Sequence, residues 1–334
     1  MNFETRNLKS WRATKILATL GYASESEEQI TKLVQAGVNM FRMNFSHGTH
    51  EEHLMRITNV RAVEKRLSKP IGILADMQGP KYRIGIVEEG LSLIEGNLVQ
   101  FDLDDKIGNS ERLPLPHPEI FEALYPGARL LMDDGKLELI VRTISNDIFS
   151  AEVLIGGPVL SRKGVNVPDI KLNTNVLTDK DLIDLEFALD NGADWIALSF
   201  VQSASDVLLA KARIAGRAQL MAKIEKPAAL LEIEDIINAS DAIMIARGDL
   251  GVELDAAEVP SVQKRLIYQC RKVGKPVVVA TQMLESMIAS PTPTRAEATD
   301  VAGAVFDGAD TVMLSAETAI GEYPVEVVET MANI

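Results

Sequence analysis

The chain has 334 residues, 46% hydrophobic and 25% charged, with a formal net charge of −14, which fits one large globular domain plus a smaller insertion. The acidic balance argues against nucleic-acid and anionic-membrane partners, no apolar run is long enough to cross a bilayer, and the start Met1-Asn2-Phe3-Glu4-Thr5-Arg6 has no apolar signal core. The single cysteine, Cys270, excludes an intramolecular disulfide, and the expected compartment is the reducing cytoplasm.

The first predicted element is a buried strand from Lys15 to Leu20, closed by Gly21. Ser24-Glu25-Ser26-Glu27 reads as a capping box opening a helix to Ala36-Gly37. A second strand from Met40 to Phe45 ends in Ser46-His47-Gly48. Thr49 then caps a helix to Arg66 with charges at i,i+4 spacing. The third strand runs from Ile71 to Asp76 and leads into Met77-Gln78-Gly79-Pro80-Lys81-Tyr82-Arg83.

From about Ile84 to Asn173 the period changes to two. Leu137, Leu139 and Val141 alternate with Lys136, Glu138 and Ile140 straight after Asp134-Gly135, a hairpin turn signal. This predicts an all-β insertion over 80–172, of independent-domain size, inside a larger domain made of 1–79 and 173–334. The βα rhythm returns with the capping box Thr178-Asp179-Lys180-Asp181 and a helix to Asn191. Predicted strands follow at Trp195 to Phe200, Leu220 to Glu225, Ala242 to Asp249, Pro276 to Thr281 and Thr311 to Glu317. Thr294-Arg295-Ala296-Glu297 caps the helix before the last of them, and Tyr323 to Ile334 reads as the eighth helix. Three strands before the insertion and five after it make a TIM (β/α)8 barrel with a lid inserted after the third strand. A doubly wound open sheet is the weaker alternative.

In such a barrel, ligands bind at the carboxyl ends of the strands. That places Lys223, Glu225, Arg247 and Asp249 around one pocket, suited to a divalent cation and a phosphorylated anion. Glu225 and Asp249 are the expected Mg²⁺ or Mn²⁺ ligands; the plain alternative is a pair of salt bridges with Lys223 and Arg247. Lys223, two residues before Glu225, shares its face and suits a transferring phosphoryl group or a developing enolate. Schiff-base formation or simple pairing with Glu225 are its other readings. Gly248 and Gly251 would let backbone amides approach a ligand. Arg42 suits bidentate phosphate contact, while Asn44, Ser46 and Asp76 offer oxygens to a monovalent cation. His47 is a ligand or a solvated residue in equal measure, His50 and His53 are expected on a helix surface, and His117 in a loop. Thr281 could orient a water, and Met283, Met287 and Met313 read as core fillers.

Seven stretches occur together and in order: Asn44-Phe45-Ser46-His47-Gly48, Gly79-Pro80-Lys81, Lys163-Gly164-Val165-Asn166, Lys223-Ile224-Glu225, Ala246-Arg247-Gly248-Asp249-Leu250-Gly251, Ala280-Thr281-Gln282-Met283-Leu284-Glu285-Ser286-Met287 and Pro293-Thr294-Arg295-Ala296-Glu297. In this the chain resembles the pyruvate kinase family from about Lys15 onward. The resemblance implies phosphoryl transfer from phosphoenolpyruvate to ADP, giving pyruvate and ATP. By motif, Glu225 and Asp249 would hold Mg²⁺, Lys223 and Arg42 would face the phosphoryl group, and the amides of Gly248 and Asp249 would take the substrate carboxylate. Thr281 would belong to the proton relay, with Ser315 beside it. Thr19, Asn44, His47, Arg83 and Lys163 would lie on the nucleotide side.

Three departures stand out. Lys81 replaces a glutamate found in K⁺-requiring members, so its ammonium is expected to stand in for the cation near Asn44, Ser46, Asp76 and Met77, making K⁺ unnecessary. Tyr22 and Ala316 replace a usual proline and glycine, and Tyr22 could stack on adenine. The family's carboxy-terminal effector domain has no counterpart here, implying little sugar-phosphate activation and, at most, assembly of a homo-oligomer through the barrel. A Mg²⁺-dependent carbon–carbon lyase barrel and a non-catalytic relative are the alternatives.

Overall fold

The protein is described by a computed structural model covering residues 12–168, 170–172 and 174–334. The insertion limit expected at Asn173 lies outside the described residues. Eight parallel strands, Lys15–Thr19, Met40–Asn44, Gly72–Asp76, Trp195–Leu198, Gln219–Ile224, Ala242–Ala246, Val277–Ala280 and Thr311–Leu314, follow one another round a closed barrel. The eighth closes on the first through the register Lys15↔Thr311 to Ala18↔Leu314. An open sheet is thereby excluded.

The strands are continuous apolar runs because both faces are covered. Leu17, Leu74, Met221, Met244, Val278 and Met313 fill the barrel interior. Ile16, Phe41, Ile73, Ile196, Ile243 and Val312 pack outward under the helices. Met283 and Met287 are fully buried, as expected of core fillers.

The helices start where side chains satisfy their first amides. Reciprocal capping boxes open His50–Leu67 with Thr49 and Glu52, Asp179–Asp190 with Thr178 and Asp181, and Arg295–Asp307 with Thr294 and Glu297. The helix Glu27–Ala36 is capped by Ser26, not Ser24, whose hydroxyl instead binds the Gly21 turn. On His50–Leu67 the arginines reach off their own helix more than along it: Arg56 pairs with Glu25 and Arg66 with Glu27. Side chains facing a neighbouring helix find carboxylates there that spacing within one helix does not show.

Between the third and fourth barrel strands lies a six-stranded sheet in the order Val165–Asn166, Arg129–Met132, Leu137–Ser145, Ile148–Ile155, Leu98–Asp102, Arg112–Pro114. Leu137, Leu139 and Val141 point into its own apolar cluster with Phe101 and Phe149, and the turn at Asp133, Asp134 and Gly135 takes positive φ throughout. One short helix, Pro118–Ala123, interrupts the β pattern.

Candidate functional site

Lys223 is the penultimate residue of the fifth barrel strand, 8% exposed. Its ammonium reaches Ser199 Oγ at 2.6 Å, Asp76 Oδ1 at 3.0 Å and Glu225 Oε1 at 3.0 Å. The ammonium hydrogen-bonds Ser199 and lies within ion-pair distance of both carboxylates. Burial opposes its charge, but Asp76 and Glu225 outweigh burial and hold it protonated well above the ordinary lysine range.

Asp76 closes the third strand and takes Arg42 Nε at 2.6 Å on its other oxygen. Burial alone would raise its carboxyl, yet Lys223 and Arg42 together pull it below the usual carboxylate range. Arg42 also donates to Thr19 Oγ1 at 3.2 Å, so the ends of three neighbouring strands are stitched by one guanidinium. Glu225 is 1% exposed and accepts the Phe200 amide at 2.7 Å. Burial pushes its carboxyl up; Lys223 opposes this and the like charge of Asp249 adds to it.

Several predicted strands run shorter than the apolar pattern suggested. The fourth ends at Leu198, the fifth at Ile224, the sixth at Ala246, the seventh at Ala280 and the eighth at Leu314. Asp249 therefore lies not on a strand but in the first turn of the helix Arg247–Glu253. Apolar periodicity does not register where the backbone leaves the sheet, and here it leaves just as the functional residues begin. Phe200, Thr281 and Gln282 all take positive φ there, at 56°, 70° and 53°. For a β-branched threonine this is a strained backbone.

Two hydrogen bonds hold that strain. Thr281 Oγ1 accepts the Gly248 amide at 2.7 Å, and Arg247 Nη2 donates to the Thr281 carbonyl at 2.7 Å. The Gly248 amide, expected to face a substrate carboxylate, is thus engaged by Thr281. Arg247 is likewise taken up, by Asp300 at 2.7 Å and by the Thr281 turn, rather than facing the carboxylate pair as a free cation. Ser315 follows the eighth strand with its hydroxyl buried and unpartnered, while its amide is held by Glu317 at 2.6 Å.

On the opposite side, Asn44 Oδ1 accepts the Ser46 amide at 3.2 Å and His47 is exposed. Lys163 pairs with Asp133 at 2.7 Å, and Arg83 donates to the Arg162 carbonyl, all on the inserted segment. The Met77 carbonyl accepts Ser199 Oγ at 2.7 Å. Lys81 is exposed and lines a cleft of about 710 Å³ with Asp134, Gly248 and Asp249, a wall that the group Asn44, Ser46, Asp76 and Met77 does not share. Tyr22 is 74% exposed and donates to the Ile320 carbonyl.

Two histidines expected on a helix surface are packed instead. His53 is buried, stacked on Phe45 with centroids 4.2 Å apart, and its Nε2 lies 3.0 Å from the His47 carbonyl. His50 stacks on Phe187 at 4.0 Å and meets Asp184 at 2.7 Å. Aromatic neighbours from the preceding strand end and the next helix bury His53 and cover His50 in part. His117 lies outside a helix, as expected, and its Nε2 accepts the Arg83 amide at 3.0 Å. Sequence reasoning passed over Ser199, Lys226 and Glu253. Ser199 carried a signal, since it sits at the end of a barrel strand; the other two carried none within their own segments.

Among the described residues, no group of three or more His, Cys, Asp and Glu side chains forms a metal cage. The pair Glu225 and Asp249 still fits Mg²⁺, which takes one or two carboxylates and fills its shell with water and substrate oxygens. A buried carboxylate raised by its neighbour's like charge is the electrostatic setting a divalent cation relieves.

The family model for the barrel domain of pyruvate kinase matches residues 11–328. The chain is 53% identical over 329 residues to a pyruvate kinase of Agrobacterium vitis, covering 98% of this chain and 69% of that protein. It is 52% identical to one of Methylorubrum extorquens, with 98% and 69% covered, and 46% identical to one of Geobacillus stearothermophilus, with 97% and 56% covered. The crystal structure of a pyruvate kinase from Cryptosporidium parvum superposes with a TM-score of 0.95 at 38% identity, covering 98% of this chain and 69% of that one.

Proposed function

The chain belongs to the pyruvate kinase family, and from that premise we propose how its own residues carry out the transfer. The enzyme is a phosphotransferase that moves the phosphoryl group of phosphoenolpyruvate to ADP, giving pyruvate and ATP. A carbon–carbon lyase or a purely binding role is set aside on that ground. One observation carries the residue assignment: Lys223 is held protonated between Asp76 and Glu225, with Arg42 alongside, at the mouth of the barrel formed by the carboxyl ends of its strands.

Phosphoryl transfer asks mainly for positioning and for charge aimed at the moving group. Lys223 and Arg42 supply two cations held in place by Asp76, so little reorganisation is needed as charge develops. A phosphoryl oxygen reaching Lys223 takes the place of one of these contacts, and the Ser199 hydroxyl is the neutral one. Glu225 and Asp249 hold Mg²⁺, whose charge offsets that of the phosphates. Thr281 belongs to the proton relay that delivers a proton to the enolate carbon, and Ser315, whose hydroxyl is buried without a partner, joins it. The Gly248 and Asp249 amides receive the substrate carboxylate once the Thr281 contact is exchanged. Thr19, Asn44, His47, Arg83 and Lys163 form the nucleotide side, the last two brought by residues 80–172 acting as a lid over a barrel of 1–79 and 173–334.

The enzyme works without K⁺ and in the cytoplasm. Asp76, the one carboxylate of the Asn44, Ser46, Asp76 and Met77 group, already carries two cations, and Lys81, in the separate cleft with Gly248 and Asp249, swings its flexible ammonium toward that group to take the place of K⁺. Among the described residues no helix is long and apolar enough to cross a membrane. Any homo-oligomer would form through the barrel.

A coupled assay of phosphoenolpyruvate and ADP with Mg²⁺ tests this, run with K⁺ and with K⁺-free buffer. Equal pyruvate formation in both is the expected result. Activity only with K⁺ would keep the kinase and discard the role of Lys81. The variant Lys81→Glu is expected to acquire a K⁺ requirement, read as activation by added KCl but not by tetramethylammonium chloride.

A further inference from the structure

Lys226 and Glu253 form an ion pair at 2.6 Å while only 6% and 2% exposed. The same Glu253 oxygen accepts Asn166 Nδ2 at 2.7 Å, and the other oxygen is buried without a partner. None of the three touches the phosphoryl site as assigned above.

Their places in the chain give the cluster meaning. Lys226 directly follows Glu225. Glu253 ends the helix Arg247–Glu253, one turn after Asp249. Asn166 lies on the strand Val165–Asn166 of the inserted sheet. The inserted sheet also meets the preceding residue of that helix: a Cβ on Gly135 would lie 3.7 Å from Val252 Cγ1.

We infer that Lys226, Glu253 and Asn166 form one buried strut that sets the separation of the Glu225 and Asp249 carboxylates and docks the inserted sheet above them. The inference rests on reading Glu225 and Asp249 as the metal pair. A buried ion pair adds little net stability over well-packed apolar side chains, so fold stability alone does not account for placing one here. A rigid link between two ligand-bearing segments does, because supporting contacts of this kind fix ligand geometry. The residues act through their neighbours and are positioning residues.

Two variants separate the arms of the strut. Lys226→Met with Glu253→Leu removes both charges together and leaves only the neutral Asn166 amide without its partner. It is expected to fold with a melting temperature close to wild type and to raise the Kd for Mn²⁺, measured by electron paramagnetic resonance without substrates, about tenfold. Asn166→Ala keeps the pair; its Mn²⁺ Kd should stay within about twofold while kcat falls about tenfold through loss of docking. Should the double variant melt early, Glu253→Gln keeps the shape and an acceptor for Lys226 and carries the same Mn²⁺ measurement. Unchanged Mn²⁺ affinity in a folded charge variant overturns the strut, and unchanged kcat in Asn166→Ala overturns the docking arm. A wild-type protein that binds Mn²⁺ but makes no pyruvate would strike the proposed function, while the Mn²⁺ comparison still decides the strut.

Discussion

Charges at the mouth of the barrel and charges on the inserted sheet above it are held in opposite ways. At the mouth, Lys223, Asp76, Glu225 and Arg42 are withdrawn from water and bound to one another across three strands. On the insertion, Lys163, Asp133, Lys136 and Arg83 sit at or near the surface and bind each other or a passing carbonyl. The attraction between two charges is far stronger in the first setting, since the local dielectric is low and salt screens little, although the cost of desolvation offsets much of it. That setting also tolerates less, because removing one partner strands the other. The lesson is a division of labour: the barrel presents a fixed electrostatic field, and under the proposed function the cations of the insertion would change partner when the phosphates of ADP arrive.

The largest expected effect lies at the mouth. Lys223→Met should lower kcat by about 10²–10³, the usual cost of losing one preorganised charge at a reacting centre. It should also lower the melting temperature, because Asp76 and Glu225 are left facing each other without the ammonium between them. Normal stability and near-normal kcat would show that the buried network is not the catalytic field.

On the insertion the outcome should split the other way. Lys163→Ala removes a surface pair worth about 0–1 kcal/mol, so the melting temperature should barely move while KM for ADP rises. A large stability loss without a KM change would erase the contrast between the two regions.

The smallest effect compares one histidine from each region. Burial lowers both His53 and His117 below the ordinary histidine value. A depressed folded pKa means the unfolded chain takes up the proton first, so the neutral rings stabilise the fold near and above neutral pH. That contribution is lost as pH falls below about 6.5. Melting followed from pH 7.5 to 5 should therefore decline. His53→Gln should flatten the decline more than His117→Gln, since carboxylates lie near both rings but His53 is fully buried while the His117 side chain is 23% exposed. An equal response would place the two rings in equivalent settings.

Much of this protein is written locally. The alternation of apolar runs with capped helices determines eight βα units, and Asp134-Gly135 followed by Leu137, Leu139 and Val141 determines a hairpin in the insertion. The spacing of Lys223 and Glu225 determines that they share a face. These features depend on backbone direction within one element, and residue order carries that directly.

What tertiary structure alone decided is who meets whom between elements. Asp76 and Ser199 reach Lys223 from the third and fourth strands, Thr281 folds back on the Gly248 amide, and Lys226, Glu253 and Asn166 converge from three segments. His53 is buried by Phe45, although its own helix shows a weak apolar stripe. Periodicity reports the direction of a side chain on its own helix or strand, but distances across the barrel arise only when the eighth strand closes on the first and the insertion settles against the sixth loop.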